Sequence, residues 1–278
     1  MFEASLDSAG ILIKIIDALA TIIDIATFKV SSAGLTLKAM DPSHVAMVNL
    51  ELPKSAFKEF KSDKTLPIRI NLTDLNRFMK RGSAGDALDL SLDQKLNKLK
   101  LKFKSGKSTR TFSLNLLTEE EEEESPTPSL DFNAKLSLNT ADLQRAIKDA
   151  QIVGDFITFS LTEEVLTLEA SGDSGNVTIE VEDFIDRPSV KEKQSSMYSL
   201  EYLADIIKAS SFAGTVNIEF SSEMPIKFEF PIDPEGKITY LLAPRVEEEE
   251  EEYEGIEAEE ADNEEDALDE DEAEKEDE

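Results

Sequence analysis

The sequence predicts an α+β fold in which one strand–helix–strands unit is used four times. Three observations carry that prediction. Strand-like segments alternate apolar and polar residues, helical segments of roughly 10 to 13 residues lie between them, and the pattern recurs at a nearly constant step. Leu6, Leu72, Leu138 and Leu200 mark the recurrence, at intervals of 66, 66 and 62 residues.

The first unit runs from a short strand into LDSAGILIKIIDAL, beginning at Leu6, and then to the strand GLTLKAMD, beginning at Gly34. The second reads INLTDLNRFMK from Ile70 and continues to a strand in which Leu99, Leu101 and Phe103 alternate with Lys98, Lys100, Lys102 and Lys104. In the third, LNTADLQRAIKDA from Leu138 repeats the first helix, VLTLEASG from Val165 repeats its strand, and Val177, Ile179 and Val181 alternate with polar residues. YSLEYLADIIK from Tyr198 opens the fourth, which ends on the alternating Ile226, Phe228 and Phe230. Strands with one apolar and one polar face belong to antiparallel sheets, so the helices should gather on one face of such sheets. Asp7 or Ser8, Thr73, Thr140 and Ser199 are the expected helix N-caps.

Two acidic low-complexity segments punctuate this pattern. Residues 118–128 (TEEEEEESPTP) read as a linker, because six glutamates and two prolines neither pack nor continue a helix. A domain of residues 1–117, a second of 129–246 and a disordered acidic tail of 247–278 follow.

Composition removes much of the enzyme menu. No cysteine and a single histidine, His44, leave no thiolate or multi-histidine metal site and no triad built on several histidines; no cofactor is expected. The opening residues do not read as a signal peptide, and no run approaches the roughly 18 apolar residues of a membrane span, so a soluble intracellular protein is expected. The net charge of −31 is local: residues 247–278 hold 22 acidic side chains against Lys275, leaving −10 for residues 1–246.

The basic residues on helices are the informative ones. Arg77, Lys80 and Arg81 share one helix face, as do Arg145 and Lys148, while Lys14 and Lys208 occupy the other two helices. With all helices on one side, that side should collect cations, and acids such as Asp41, Asp63, Asp86 and Asp93 should fall in loops or at strand ends. Such a surface suits the phosphate backbone of duplex DNA, which is contacted without reading sequence. No zinc finger, recognition helix or aromatic platform accompanies it. Two other readings stand beside this one: an acidic chaperone for basic proteins such as histones, suggested by the tail, and a metal-dependent hydrolase using Asp183 and Asp186.

The opening MFEA, the segment LKAMDPSHVAMV (37–48) and the closing ITYLLAPRV (238–246) before an acidic run resemble the proliferating cell nuclear antigen family, the sliding clamps of archaea and eukaryotes. The resemblance covers residues 1–246 and implies a non-enzymatic ring of three subunits, with helices lining the hole. Lys14, Arg77, Lys80, Arg145, Lys148 and Lys208 would line it, with Arg81 as an additional candidate; Ala20 stands where some relatives carry lysine. A pocket for short apolar peptides would be walled by Met40, His44, Val45, Met47, Pro128, Met224, Pro225, Leu241, Ala243 and Pro244. Leu241 replaces an aromatic residue of some relatives. Subunits would meet through edge strands at 109–116, with Thr109, Arg110, Thr111 and Phe112, and at 175–182, with Asn176, Val177, Thr178, Ile179 and Glu180. Implied partners are double-stranded DNA, a DNA polymerase, the clamp loader, ligase and flap nuclease. The location is cytoplasmic and nucleoid-associated in an archaeon, or nuclear in a eukaryote.

Overall fold

The computed structural model describes residues 1–118 and 130–245. The run 119–129, with Pro128 and nearly all of the expected linker, and the tail from 246 lie outside the described residues. The described residues form one compact unit.

The first half runs β1 (Phe2–Leu6), α1 (Gly10–Leu19), β2 (Ile25–Ser31), β3 (Gly34–Met40), β4 (Ala46–Pro53), β5 (Glu59–Ser62), β6 (Leu66–Asn71), α2 (Leu72–Met79), β7 (Ala87–Asp93), β8 (Lys98–Ser105) and β9 (Ser108–Asn115). The second half repeats the order: β10 (Ala134–Asn139), α3 (Thr140–Ala150), β11 (Phe156–Leu161), β12 (Leu166–Gly172), β13 (Gly175–Val181), β14 (Asp186–Val190), β15 (Gln194–Ser199), α4 (Leu200–Ile206), β16 (Thr215–Phe220), β17 (Ile226–Pro231) and β18 (Lys237–Leu242). A 3₁₀ turn, Ile207–Ser211, extends α4.

Each half builds a five-stranded and a four-stranded antiparallel sheet. In the first half these are β5-β1-β7-β8-β9 and β6-β2-β3-β4; in the second, β14-β10-β16-β17-β18 and β15-β11-β12-β13. The halves are joined where β18 pairs with β4, from Lys237 opposite Glu51 to Leu242 opposite Ala46, which fuses two of the four sheets into one of nine strands. The strands equivalent to β18 and β4 in the opposite halves are β9 and β13. Each of these ends its sheet, with one side unpaired among the described residues.

The helices bury one stripe each. Leu12, Ile15, Ile16 and Leu19 of α1, Leu72, Leu75 and Met79 of α2, Leu143, Ala146, Ile147 and Ala150 of α3, and Leu200, Leu203 and Ile206 of α4 follow helical spacing into the core. α2 packs on α1, α1 on the 3₁₀ turn, and that turn and α4 on α3, giving one continuous helical layer across both halves. Gly172 lets the turn after α3 approach β12, since a Cβ there would stand 1.9 Å from the Val153 carbonyl oxygen.

The helix starts differ from expectation. Ala9 caps α1 without a side-chain bond, and Asn71 caps α2 by accepting from the Asp74 amide at 2.9 Å. Asn139 precedes α3, whose Thr140 is its first residue and bonds the Ala213 carbonyl instead; only Ser199 sits at the expected place, and its side chain makes no capping bond. The helices span 10, 8, 11 and 7 residues, so α2 and α4 fall short of the expected length, and the 3₁₀ turn takes over after Ile206.

Candidate nucleic-acid interface and partner pocket

All seven expected cations lie on the helical layer, but they do not stand alone there. Six carboxylates share it: Asp17, Asp74, Asp142, Asp149, Glu201 and Asp205. Asp41, Asp63, Asp86 and Asp93 do fall outside the helices, yet the one-sided cationic face is in fact close to neutral. Arg77 pairs with Asp74 at 3.5 Å, Arg145 with Asp142 at 3.4 Å and Lys208 with Asp205 at 2.6 Å, each within its own helical segment at i,i+3. Lys80 bridges to Asp17 of α1 at 2.6 Å, and Lys14 donates to the Ser211 carbonyl at 2.5 Å. Arg81 and Lys148 are exposed. The cations overhang their partners: Arg145 is 73% exposed against 32% for Asp142, and Lys208 49% against 31% for Asp205. In these pairs the cation is the more exposed partner, but Asp149 and Glu201 of the same layer are exposed as well, so the net positive charge is small.

The turn that carries His44 and Val45, two residues of the expected peptide pocket, is organised by Asp41, which is only 4% exposed. Its Oδ1 accepts from the Val45 and Ala46 amides at 2.7 and 2.6 Å, and its Oδ2 from the Ser43 amide at 3.0 Å and the Tyr202 hydroxyl at 2.8 Å. Burial pushes this carboxyl up, but those four donors outweigh it and hold the group below the usual carboxylate range. The turn so fixed carries His44 at φ 60, exposed, with its amide on the Asp41 carbonyl. Val45 receives the Ala243 amide at 2.9 Å, which draws the chain after β18 against this turn. Pro244 follows Ala243, and Met224 and Pro225 lie in the turn before β17, where the Tyr198 hydroxyl donates to the Met224 carbonyl.

On the adjoining sheet surface Met40, Met47 and Leu241 stand in register across β3, β4 and β18. Leu130 and Phe132, from the chain before β10, join Met47 and Leu241 along a groove that continues over Asn49, Thr239, Glu51 and Lys237. Sequence reading missed Leu130 and Phe132, because nothing local in the segment PSLDFN (128–133) distinguishes a groove wall from an exposed link. The groove's polar end neutralises itself: Lys227 meets Glu219 at 2.6 Å, and Lys237 meets Glu229 at 3.1 Å and Glu51 at 3.9 Å. Only its apolar end is left to attract a ligand. Among the described residues no three His, Asp or Glu side chains converge as a metal site.

The expected contact strands, β9 and β13, are two of the six strands that end a sheet among the described residues, the others being β5, β6, β14 and β15. On β9 Thr109 and Thr111 are exposed, and Phe112 is half-buried against Phe78 and Phe103, with ring centroids 5.6 and 6.0 Å away. Arg110 reaches back to Asp86 at 2.7 Å and to the Arg81 carbonyl at 2.7 Å. On β13 Asn176, Thr178 and Glu180 are exposed, while Val177 and Ile179 are half-buried against the core.

Comparison with known proteins agrees with this geometry. The N-terminal domain model of proliferating cell nuclear antigen matches residues 1–124, and the C-terminal domain model matches 126–245. Proteins named DNA polymerase sliding clamp from Thermococcus gammatolerans and Pyrococcus furiosus are each 38% identical over 251 residues, covering 89% of this chain and 99% of theirs. One from Cenarchaeum symbiosum is 31% identical over 249 residues, covering 88% and 98%. With both domain models matched in order along the described chain, the protein belongs to the proliferating cell nuclear antigen family of DNA sliding clamps.

Proposed function

We propose that three copies of this chain close head to tail into a ring around duplex DNA, and that the ring tethers a polymerase and other replication and repair proteins. The observation that carries this is the seam between β18 and β4. The chain already contains one junction of the kind the ring needs, and β9 and β13, the counterparts of β18 and β4, are left to form the same junction with neighbouring copies. A heterologous contact of this kind repeats until the rotation closes, and closure covers the open sides of β9 and β13. Thr109, Arg110, Thr111 and Phe112 would face Asn176, Val177, Thr178, Ile179 and Glu180 of the next subunit. The residues 118–128 would link two clamp domains, 1–117 and 129–246.

In the ring the helical layer faces the duplex, with Lys14, Arg77, Lys80, Arg81, Arg145, Lys148 and Lys208 meeting phosphates. Weak, unspecific contact fits a ring that must move. The row Met40, Met47 and Leu241, with Val45, Ala243, Pro244, His44, Met224, Pro225 and, beyond the described residues, Pro128, would accept a short apolar peptide of the polymerase, clamp loader, ligase or flap nuclease. Methionine adapts its shape to varied ligands. The mechanism is topological, so neither a catalytic group nor a cofactor is assigned. Such a ring would reside with the chromosome, in the nucleoid of an archaeal cell or in a eukaryotic nucleus. None of the helices described is long and apolar enough to cross a membrane.

Light scattering after gel filtration tests the ring, with a chain ending at Val246 run beside the full chain. A mass about three times that of one chain is expected in both. A monomer that binds basic proteins only when residues 247–278 are present would replace the ring with an acidic chaperone.

A further inference from the structure

We propose that Asp17 is a counter-charge built into the DNA-facing layer, which occupies Lys80 and keeps contact with phosphate weak enough for the ring to move along the duplex. This rests on the helical layer being the face that meets DNA. Asp17 lies on α1, whose neighbours in the layer are α2 on one side and the 3₁₀ turn carrying Lys208 on the other. Its Oδ1 accepts from Lys80 Nζ at 2.6 Å and from Asn76 Nδ2 at 2.9 Å, both from the α2 side. The bridge therefore crosses between helices, whereas Arg77–Asp74, Arg145–Asp142 and Lys208–Asp205 each close within one segment. Asn76 turns its amide to Asp17 although its own Oδ1 is then buried with no hydrogen-bond partner among the described residues. An unpaired buried oxygen is unfavourable, so the local packing sacrifices one bond to hold this carboxylate in place.

Burial pushes the Asp17 carboxyl up, but hydrogen bonds from Lys80 and Asn76 and the charges of Lys80 and Lys208 outweigh it, so the group is anionic at neutral pH. Asp17 and Lys80 are 47% and 56% exposed, and an approaching phosphate competes with Asp17 for the same ammonium in water. The competition subtracts from each contact without removing the cation, which smooths the energy along the duplex.

The test uses the assembled protein loaded on nicked circular duplex DNA, with Asp17→Asn as the main variant. Asparagine keeps the shape and can still accept from Asn76, but carries no charge. Expected for Asp17→Asn are affinity for linear duplex about fivefold tighter at low salt, a log–log salt dependence steeper by about one, and slower diffusion on stretched DNA, with the solution mass unchanged. The swapped pair Asp17→Lys with Lys80→Asp keeps both the bridge and the layer's charge, and should stay within about twofold of the parent. Asp17→Asn binding and diffusing like the parent would show that Asp17 merely braces α1 against α2. Equal tightening by the swapped pair would show that bridge geometry, not charge, sets affinity, and would also overturn the proposal. Should the parent protein leave circular DNA as readily as cut DNA, the ring reading itself fails and this proposal with it, an outcome seen before any variant is compared.

Discussion

Asp41 shows how one residue sets the shape of a surface it does not itself line. The turn 41–46 carries His44 in the left-handed region and Val45 packed against the core, and four donors converge on the Asp41 carboxylate to hold it there. Three are backbone amides of the turn; the fourth is the Tyr202 hydroxyl of α4, from the other half of the chain. Asp41→Asn should lower stability at pH 7 by about 2 kcal/mol, roughly 4–8 °C in unfolding midpoint, because an amide satisfies fewer of these donors. The pH dependence has a definite sign. The folded carboxyl lies below its ordinary 3.8, so its contribution is present above that value and disappears as pH falls through the folded value. Unfolding curves at pH 7 and pH 3 check this: the gap between parent and variant should shrink at pH 3, and an equal gap at both would mean that ionisation of Asp41 contributes nothing. Tyr202→Phe removes a single donor and should cost about 1 kcal/mol.

At the scale of elements, the helical layer behaves as a nearly neutral surface with cationic tips, and this decides what charge reversal does. Lys80→Glu together with Lys148→Glu places one new carboxylate beside Asp17 and another on the last turn of α3. Exposed like charges repel by less than about 1 kcal/mol, so the ring should persist while loading on DNA and stimulation of the polymerase fall. Unchanged stimulation with an intact ring would remove these two positions from the DNA contact. Sequence reading passed over the i,i+3 partners Asp74, Asp142 and Asp205, although spacing carries the signal, because Arg77, Arg145 and Lys208 follow them by three residues. Asp17–Lys80 leaves no such signal, since it joins different helices. The helix caps were misplaced for a related reason. Leu6 ends β1 and Leu138 is the last residue but one of β10, whereas Leu72 and Leu200 begin helices, and both positions bury a leucine, so apolar matching slides the repeats by one or two residues without changing the pattern. The alternating strands were readable one by one, but the β18–β4 pairing spans most of the chain and leaves no local mark.

The whole molecule carries the instruction for its own assembly in that pairing. Within the chain Thr239 stands opposite Asn49, Tyr240 opposite Val48 and Ile238 opposite Leu50. Matching β9 to β18 through their neighbours β8 and β17, and β13 to β4 through β12 and β3, sets Arg110, Thr111 and Phe112 opposite Ile179, Thr178 and Val177 of the next copy. Half-buried Phe112 and Val177 then cover one another, while the threonines stay on the solvent face, and a slip of one residue would turn both apolar side chains outward. Charge favours the same union in part. Residues 98–110 carry six Lys and Arg and no acid, although Lys100, Lys104 and Arg110 already pair with Asp93, Asp89 and Asp86 of the same chain, and residues 166–183 carry five Asp and Glu and no base, so the remaining cations of one edge hairpin attract the other edge hairpin of the next copy. Because the chain has no cysteine, Thr111→Cys with Thr178→Cys offers a clean check. Opposed residues of an antiparallel pair lie about 4.5–5.5 Å apart at Cα, within disulfide reach. Mild oxidation should give a covalent trimer that survives denaturation and falls to single chains on reduction, with Thr111→Cys paired to Glu180→Cys linking far less. Efficient linking of that displaced pair in place of the first would mean the interface is shifted from the internal seam, and the ring would then be closed by a different rule from the one joining its two halves.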